Sequence, residues 1–264
     1  MRQELLVLVL VILAALYRIV DNYGWTHSIY NHISYRTADG GFLVNPFGLL
    51  YSEVTPESLV KLDGNGAVLD NGSTEFSFSQ AAFVLHAAIH DVRKDARCLI
   101  HTHTLAGGAV AASRHGLRVV GQEAAIVGPI SYHDYTGILI DPEKERCALQ
   151  ASFQPPSMAL ILRNHGLMAA GRSAGEALHY MFNLVHACEV SVAACAAAGG
   201  NIDDLCEIDD STVASVHATA SGGGGGVTTT TGPPPPVGSL EFDAAVRSLD
   251  LPWDVPIQRQ SDSL

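Results

Sequence analysis

Apolar and polar positions along the first 200 residues follow two kinds of pattern. Patterns typical of helices cover residues 4–22, 79–93, 106–115, 143–151 and 173–198. Short runs with the composition of strands lie between them, at residues 29–35, 42–44, 58–62, 67–69, 98–103, 158–162 and 166–170. Residues 117–141 are predicted to hold short strands and loops. Because helices and strands alternate throughout, the pattern predicts a single α/β domain.

The ends of several predicted elements carry residues that favour a start or a stop. Ser79 and Ser173 precede helical patterns and are predicted N-caps, since a serine hydroxyl accepts a hydrogen bond from the first helical turn. Gly116 and Gly199 follow helical patterns, where a glycine commonly ends a helix. The segment Asp63–Gly66 is predicted to be the turn of a β-hairpin.

The N-terminus begins with an apolar run, Leu5–Leu16. A helix that spans a membrane needs roughly 20 apolar residues, so this run is too short to be one. A signal peptide is the alternative, because Arg2 precedes the run, although Glu4 interrupts the basic segment that such a signal requires. The apolar stripe also continues at helical spacing through Leu13, Leu16, Tyr17 and Val20. We therefore predict a first core helix over residues 4–22 and no transmembrane helix.

Charge and cysteine content limit the class of protein. The chain has 15 Lys and Arg against 27 Asp and Glu, a formal charge of -12. Nucleic-acid binding and electrostatic binding to anionic lipid both require a basic surface, so neither is expected. The five cysteines are odd in number and match no CxxC or zinc-ribbon spacing. We expect them to be reduced, in a cytoplasmic protein.

Composition changes after residue 206. Residues 221–236 combine serine and poly-glycine with runs of threonine and proline, which bury little apolar surface. We therefore predict a folded domain over residues 1–206, followed by a disordered Gly/Thr/Pro-rich linker and C-terminal tail over residues 207–264. Residues 239–264 have scattered Leu, Phe and Trp and are expected to form at most a short helix or a docking tail.

Three histidines and one carboxylate form a candidate metal site. His101 and His103 are two residues apart at the end of a predicted strand, so their side chains point to the same face. His165 stands at another strand end, where Gly166 permits a sharp turn. Glu75 lies in a loop just before a predicted helix. This set of ligands suits Zn²⁺ or another late divalent ion.

A rival histidine pair is present on a predicted helix. His86 and His90 are one turn apart, but they lack the glutamate of an HExxH zinc site. An HxH pair alone is a weak signal, since exposed strands carry two histidines by chance. The remaining histidines that we considered are expected to be core or surface groups: His27, His32, His115, His133, His179 and His186.

A series of short motifs spans the predicted domain. In chain order they are Gly24–Thr26, Asn31–Ser34, Asn45–Tyr51, Glu53–Thr55, Ser58–Lys61, Gly72–Glu75, His101–Thr104, Tyr132–Tyr135 and Arg163–Gly166. Together they resemble the class II aldolase/adducin family, over roughly residues 14–205. The segments Tyr132–Tyr135, Leu162–Leu167 and Ala187–Val190 resemble the branch that contains the adducin head and adducin-like bacterial homologues.

The resemblance implies a fold, an assembly and a set of active residues. The fold is a three-layer α/β/α sandwich around a mostly antiparallel central sheet, usually in a cyclic homotetramer. His101, His103 and His165 are implied to be zinc ligands. Glu75 matches the family's catalytic acidic residue, which also approaches the metal, and Tyr132 matches a tyrosine that acts as general acid, often from the neighbouring subunit. The alternative role of Tyr132 is that of an aromatic side chain packed in a loop.

Function follows from the same resemblance in two competing forms. The favoured prediction is an aldol-type lyase that acts on a small hydroxy-carbonyl substrate through an enediolate, with decarboxylation or epimerisation on the same intermediate as a weaker possibility. Asn31, Gly48, Ser73 and Thr74 are implied to orient the substrate, although Tyr30 and Phe47 stand where sugar-phosphate aldolases have small or polar groups. The alternative is a non-catalytic, adducin-like protein that binds actin filaments and spectrin in the cytoplasm.

Overall fold

An eight-stranded sheet forms the centre of the protein in the computed structural model, which describes residues 2–134, 142–223 and 233–255. The strands are β1 (His32–Arg36), β2 (Phe42–Val44), β3 (Val60–Leu62), β4 (Val68–Asp70), β5 (Cys98–Thr102), β6 (Ile130–His133), β7 (Ala159–Leu162) and β8 (Gly166–Gly171). Their order across the sheet is β4-β3-β2-β1-β5-β8-β7-β6. Among the described strands, only β6 and β7 pair in parallel, and all other pairs are antiparallel.

Helices cover this sheet. The described residues contain α1 (Arg2–Asn22), α2 (Gln80–Val92), α3 (Leu105–Ala112), α4 (Gln122–Val127), α5 (Pro142–Ser152), α6 (Ala174–Ala197), α7 (Asp210–Ala220) and α8 (Ser239–Arg247). Three short 3₁₀ turns lie at Tyr51–Glu53, Pro56–Ser58 and Ile202–Asp204. Helix α6 packs against β8 and β5, whereas α2 packs against α5 and β1. The predicted α/β fold around a mostly antiparallel sheet is confirmed.

The middle of the sheet is fully buried, and it fixes the position of the histidines. Every residue of β5, β7 and β8 is buried. On β5, His101 pairs with His32 of β1 on one side and with Met168 of β8 on the other. Residues that are opposite each other in a sheet project to the same face. The register therefore places two histidine side chains side by side in the core of the protein.

Helix α1 confirms the predicted first core helix. Leu13, Leu16, Tyr17 and Val20 are completely buried, as the apolar stripe predicts. The Tyr17 hydroxyl donates a hydrogen bond of 2.6 Å to the carbonyl oxygen of Ile33, the residue after His32. The first helix therefore packs directly against the strand that borders the histidines.

Helix α6 has the length and hydropathy that a membrane-crossing helix needs, and it is the one such helix among the described residues. Of its most apolar stretch, 44% is buried inside the protein. Its buried residues, from Ala174 to Ser191, contact the sheet and α3. This packing is what a core helix requires.

The structure differs from the prediction between residues 105 and 134. Helix α3 ends at Ala112, three residues earlier than predicted. Helix α4 lies where loops and short strands were expected. Its N-cap residue is Gly121, which has no side chain to accept a hydrogen bond, so the sequence carries no local start signal for this six-residue helix. Residues 135–141, which include Tyr135 of the motif above, lie outside the described residues.

Residues 210–220 are helical, whereas composition predicts a disordered linker there. The Asp209 side chain caps α7 by accepting a hydrogen bond from the backbone N–H of Thr212. Two further hydrogen bonds join this segment to α4 and to the residues just before α4. The Ile208 N–H donates to the Val119 carbonyl oxygen (2.8 Å), and His217 Nδ1 donates to the Ile126 carbonyl oxygen (2.9 Å). Tertiary contacts therefore order a segment that has little apolar surface.

The last described helix, α8, docks on α6. Phe242 and Ala245 are buried, and the backbones of Gly175 and Gly238 are so close that a Cβ on Gly238 would stand 2.0 Å from the Gly175 carbonyl oxygen. The expected short helix or docking tail is therefore present over residues 239–247. Residues 224–232, which include much of the Gly/Thr run, and residues 256–264 lie outside the described residues. The predicted domain boundary at residue 206 stays a prediction.

Candidate metal centre

Three histidines meet where β5 ends and β8 begins. His101 lies on β5, His103 follows the strand, and His165 immediately precedes β8. Because β5 and β8 pair antiparallel, with Thr102 opposite Leu167, these positions are adjacent. One nitrogen from each imidazole lies within 4.8 Å of the others. The structure thus brings together the three histidines that the sequence singles out.

Local backbone geometry makes this approach possible. Asn164 adopts a left-handed conformation, with φ of 56°, and the chain turns there into β8. A Cβ atom on Gly166 would stand 2.5 Å from the Thr102 carbonyl oxygen and 2.9 Å from Cδ2 of His103. Only glycine fits at such a close approach of two strands. The Asn164–Gly166 motif therefore sets the spacing between His103 and His165.

Hydrogen bonds orient the imidazole of His101. Its Nδ1 donates to the carbonyl oxygen of Leu167 at 2.9 Å, so its Nε2 keeps a lone pair. That Nε2 lies 2.8 Å from Nε2 of His103. A backbone carbonyl behind a histidine is the usual support for a metal ligand, because it selects the tautomer and fixes the ring.

The electrostatic environment favours the neutral form of His101 and His103. Burial, and then the neighbouring histidines His32, His103 and His165, hold the pKa of His101 well below its ordinary value. Burial, and then His165 and His27, lower the pKa of His103 to about 4. Neutral imidazoles are the form that binds metal. Zinc–nitrogen bonds of about 2.0–2.1 Å would hold the ligand nitrogens roughly 3.3 Å apart, so the three rings fit Zn²⁺ or another late divalent ion.

The structure places Glu75 outside this cluster. It lies on the loop between β4 and α2, and its side chain is exposed. Among the described residues, the group that can hold a metal consists of the three histidines alone. The next residue, Phe76, turns its ring against Gly48, where a Cβ would stand 2.7 Å from the ring. The roles of Glu75 as ligand and as catalytic residue stay predictions.

Of the four predicted substrate-binding residues, Asn31 is the one that contacts a histidine of the cluster. Its Oδ1 accepts a hydrogen bond of 3.3 Å from the backbone N–H of His103, and its Nδ2 is buried without a hydrogen-bond partner. Gly48 has φ of 134° and is covered by the Phe76 ring. Ser73 and Thr74 lie on the same loop as Glu75, where the Ser73 N–H donates to the carbonyl oxygen of Glu57 at 2.8 Å.

Tyr132 lies on β6, at the edge of the sheet and three strands away from β5. Its hydroxyl accepts a hydrogen bond of 3.0 Å from the Leu117 N–H. The guanidinium carbon of Arg163 lies 4.3 Å from the centre of its ring. Within the described chain, Tyr132 is therefore a packed aromatic, and its role as a general acid from a neighbouring subunit stays a prediction.

His32 belongs to this site, although the pattern predicts only a core or surface group at this position of the motif Asn31–Ser34. Its ring stacks on His101, with ring centroids 4.6 Å apart and planes inclined by 27°. Its Nδ1 lies 2.8 Å from Nε2 of His86. His86 and His90, the rival metal pair, both contact Ser34. The missing signal is the pairing of β1 with β5, which no local motif encodes.

A small cleft lies beside His32, whose ring stacks on His101. Asn31 and His32 line it together with the phenyl rings of Phe47, Phe78 and Phe83. No Lys, Arg, Asp or Glu is among the described residues that line it. The cleft is therefore lined by apolar side chains together with polar groups that carry no full charge, namely Asn, Ser and His side chains.

Known proteins share both this fold and much of this sequence. Residues 11–192 match the family described as the class II aldolase and adducin N-terminal domain. Alpha-adducin of Rattus norvegicus is 46% identical over 240 residues, which cover 90% of this chain and 32% of that protein. The chain thus spans about a third of the length of this relative.

Two solved structures resemble the whole domain. An aldolase II superfamily protein from Pseudomonas syringae is 34% identical, with a TM-score of 0.78 and 91% of each chain covered. The L-fuculose 1-phosphate aldolase from Glaciozyma antarctica is 25% identical, with a TM-score of 0.72, and the match covers 83% of this chain and 84% of that one. The family match over most of the chain and the shared fold confirm the resemblance, and the chain belongs to the class II aldolase and adducin N-terminal domain family.

Proposed function

We propose that this protein is a divalent-metal-dependent lyase that cleaves or forms a carbon–carbon bond in a small hydroxy-carbonyl substrate. The observation that carries the proposal is the group of three histidines at the β5–β8 junction, whose ligand nitrogens lie within 4.8 Å of one another. Membership of a family with a structural relative called an aldolase supports it. The three histidines are the ligands that a metal-dependent lyase needs to bind its ion.

The chain supplies the groups that such a reaction requires. His101, His103 and His165 would hold the ion, which when bound polarises a carbonyl and stabilises negative charge on its oxygen. Asn31 has a buried amide group beside His103 and would donate a hydrogen bond to a substrate oxygen. Glu75 is proposed to move the proton at carbon as general base, for which its exposed loop must approach the histidines.

The lining of the cleft favours a substrate without a phosphate group. Phosphate binding normally uses Arg, Lys or several backbone N–H groups. Here the described lining consists of phenyl rings, small residues and neutral polar groups, and the chain has a formal charge of -12. We therefore propose an uncharged hydroxy-aldehyde or hydroxy-ketone.

Metal analysis and a turnover screen test the proposal together. The purified chain should contain about one Zn²⁺ or similar ion, and His101→Ala and His165→Ala should lose it. Retro-aldol activity should be measured on phosphorylated and unphosphorylated hydroxy-ketones before and after removal of metal with a chelator. A chain that binds no metal when zinc is abundant, or that turns over no compound of either set, would contradict the proposal.

An adducin-like binding function is the second candidate. It is favoured by the 46% identity to alpha-adducin over 240 residues. In this form the domain would act as a cytoplasmic homo-oligomer, a tetramer by the family resemblance, which binds actin filaments or spectrin without catalysis. Co-sedimentation of the chain with actin filaments, with light scattering to measure its oligomeric state, distinguishes this candidate from the lyase.

A further inference from the structure

A row of hydrogen-bonded side chains runs from the metal centre along the face of the sheet that α2 covers. His32 Nδ1 is 2.8 Å from His86 Nε2, and His86 Nδ1 is 2.6 Å from Ser34 Oγ. Ser34 Oγ is in turn 2.9 Å from His90 Nε2, and His90 Nδ1 is 3.3 Å from the carbonyl oxygen of Ala96. None of these side chains is needed to hold the proposed metal ion.

The carbonyl of Ala96 decides the direction of every bond in this row. A carbonyl only accepts, so His90 carries its proton on Nδ1 and accepts at Nε2 from the Ser34 hydroxyl. Ser34 has then used its only proton and must accept from His86 Nδ1. His86 is left with an acceptor at Nε2, so His32 donates from Nδ1. The row therefore leaves Nε2 of His32 without a proton.

This assignment requires the imidazoles of His86 and His90 to be neutral, and their burial favours the neutral form. Burial lowers the pKa of His86 to about 3, with His90 as the next cause. Burial lowers the pKa of His90 to about 3 as well, with Arg36 as the next cause. Near neutral pH neither ring gains a second proton, so the order of donors and acceptors is retained.

His32 presents its remaining nitrogen beside a donor that also has no partner. Its Nδ1 is used by His86, and within the described part of the chain no group hydrogen-bonds to its Nε2. The neighbouring residue Asn31 has a buried Nδ2 without a partner, and both residues line the cleft next to His101. An acceptor and a donor on adjacent residues that line one cleft match a hydroxyl group, which both donates and accepts.

We propose that His32 is a substrate-binding residue. Its unprotonated Nε2 accepts a hydrogen bond from a substrate hydroxyl group that is adjacent to the substrate oxygens bound by the metal. His86, Ser34 and His90 are positioning residues, because they fix the tautomer and the ring of His32. The ligand class is a hydroxy-carbonyl compound with at least one further hydroxyl. The identification of the ligand as a substrate rests on the proposed lyase function, whereas binding is measurable without turnover.

Two hydroxamates that differ by one hydroxyl group test the binding role. Acetohydroxamate chelates zinc, and glycolohydroxamate chelates it and carries an additional hydroxyl. Calorimetry on the zinc-loaded full chain should show glycolohydroxamate binding roughly fivefold more tightly, the value of about one hydrogen bond. His32→Phe keeps a ring against His101 and should abolish this preference, so that the two hydroxamates bind that variant equally tightly, whereas His32→Gln keeps an acceptor and should retain part of the preference.

The possible results separate the two proposals. Equal affinity of the two hydroxamates for the wild type, or an unchanged preference in His32→Phe, would overturn the role of His32. Failure of the wild type to bind acetohydroxamate at all would instead count against the metal-dependent function.

Nitrogen-detected NMR of the wild type gives an independent test that needs no variant at His32. Neutral histidine tautomers differ in their ¹⁵N shifts, and His32, His86 and His90 should all carry the proton on Nδ1. Ser34→Ala breaks the row and should disturb the signals of His86 and His32 and reduce the glycolohydroxamate preference. Ser191→Ala, which changes an equally buried serine on α6, should change neither. A His32 proton on Nε2 in the wild type would refute the inference.

Discussion

Replacing Gly166 by alanine adds one methyl group at the point where the two ligand-bearing strands are closest. The new Cβ would lie 2.5 Å from the Thr102 carbonyl oxygen and 2.9 Å from Cδ2 of His103. Ordinary contacts begin near 3.4 Å, so the strands must separate by up to about 0.9 Å. Overpacking of this kind costs about 1–3 kcal/mol. We also expect metal affinity to fall by about 10- to 100-fold, as it does when the support of a metal ligand is disturbed.

Gly108→Ala is the matched control for this change. Gly108 lies within α3, and a Cβ there would have no neighbour within 4 Å. Alanine is favoured over glycine in a helix by up to about 1 kcal/mol, so this variant should be as stable as the wild type or more so. Chemical unfolding gives the stability of both variants, and competition with a chromogenic chelator gives the zinc affinity. If Gly166→Ala matched Gly108→Ala in both measurements, the close-approach argument would be refuted.

Three further predictions concern the loop, the C-terminal helix and the buried histidines. Glu75→Gln should lower turnover by about 10²- to 10⁴-fold with zinc content unchanged, because the carboxylate lies outside the histidine cluster; joint loss of zinc and melting temperature would make Glu75 a structural ligand. Phe242→Ala should lower the free energy of unfolding in urea by about 3–5 kcal/mol, since the ring is buried, whereas Leu240→Ala, at an exposed position of the same helix, should lower it far less. Equal losses in the two variants would mean that α8 does not dock on α6. When the pH is lowered from 7 to 5, the wild type should lose about 2 kcal/mol more of its free energy of unfolding than the His90→Gln variant loses. The pKa of His90 in the folded protein is about 3, so between about pH 6.5 and pH 5 the unfolded chain binds a proton at this histidine and the folded protein does not. Parallel pH dependences would contradict this assignment.

Elements with local signals could be predicted from the sequence. Ser79 and Ser173 do cap α2 and α6, and their side chains accept from the backbone N–H groups three residues on. Strand β7 was predicted within one residue, because an uninterrupted apolar run has few other interpretations. In these places propensity, capping and apolar pattern all favour the same structure.

Elements that depend on distant contacts could not be predicted. Helix α7 lacks an apolar stripe, and its order depends on bonds from Ile208 to Val119 and from His217 to Ile126, about 90 residues away in the chain. Helix α4 has no side-chain cap. The candidate site divides in the same way. The three metal histidines carry a recognisable ligand spacing at strand ends, whereas His32, although it lies in the motif Asn31–Ser34, comes next to His101 only through the register of β1 against β5.

The energetic cost of this site favours a binding function over a passive scaffold. Asn31 Nδ2 and His103 Nδ1 are both buried without a hydrogen-bond partner, and an unsatisfied buried polar group costs about 1–3 kcal/mol. Their residues are joined directly, since Asn31 Oδ1 accepts from the His103 N–H. Next to them, His101 and His32 are held neutral within the core, where apolar side chains of similar size would cost less. A bound ion at the three histidines and a hydroxylated ligand beside Asn31 and His32 would offset part of these costs at the same place.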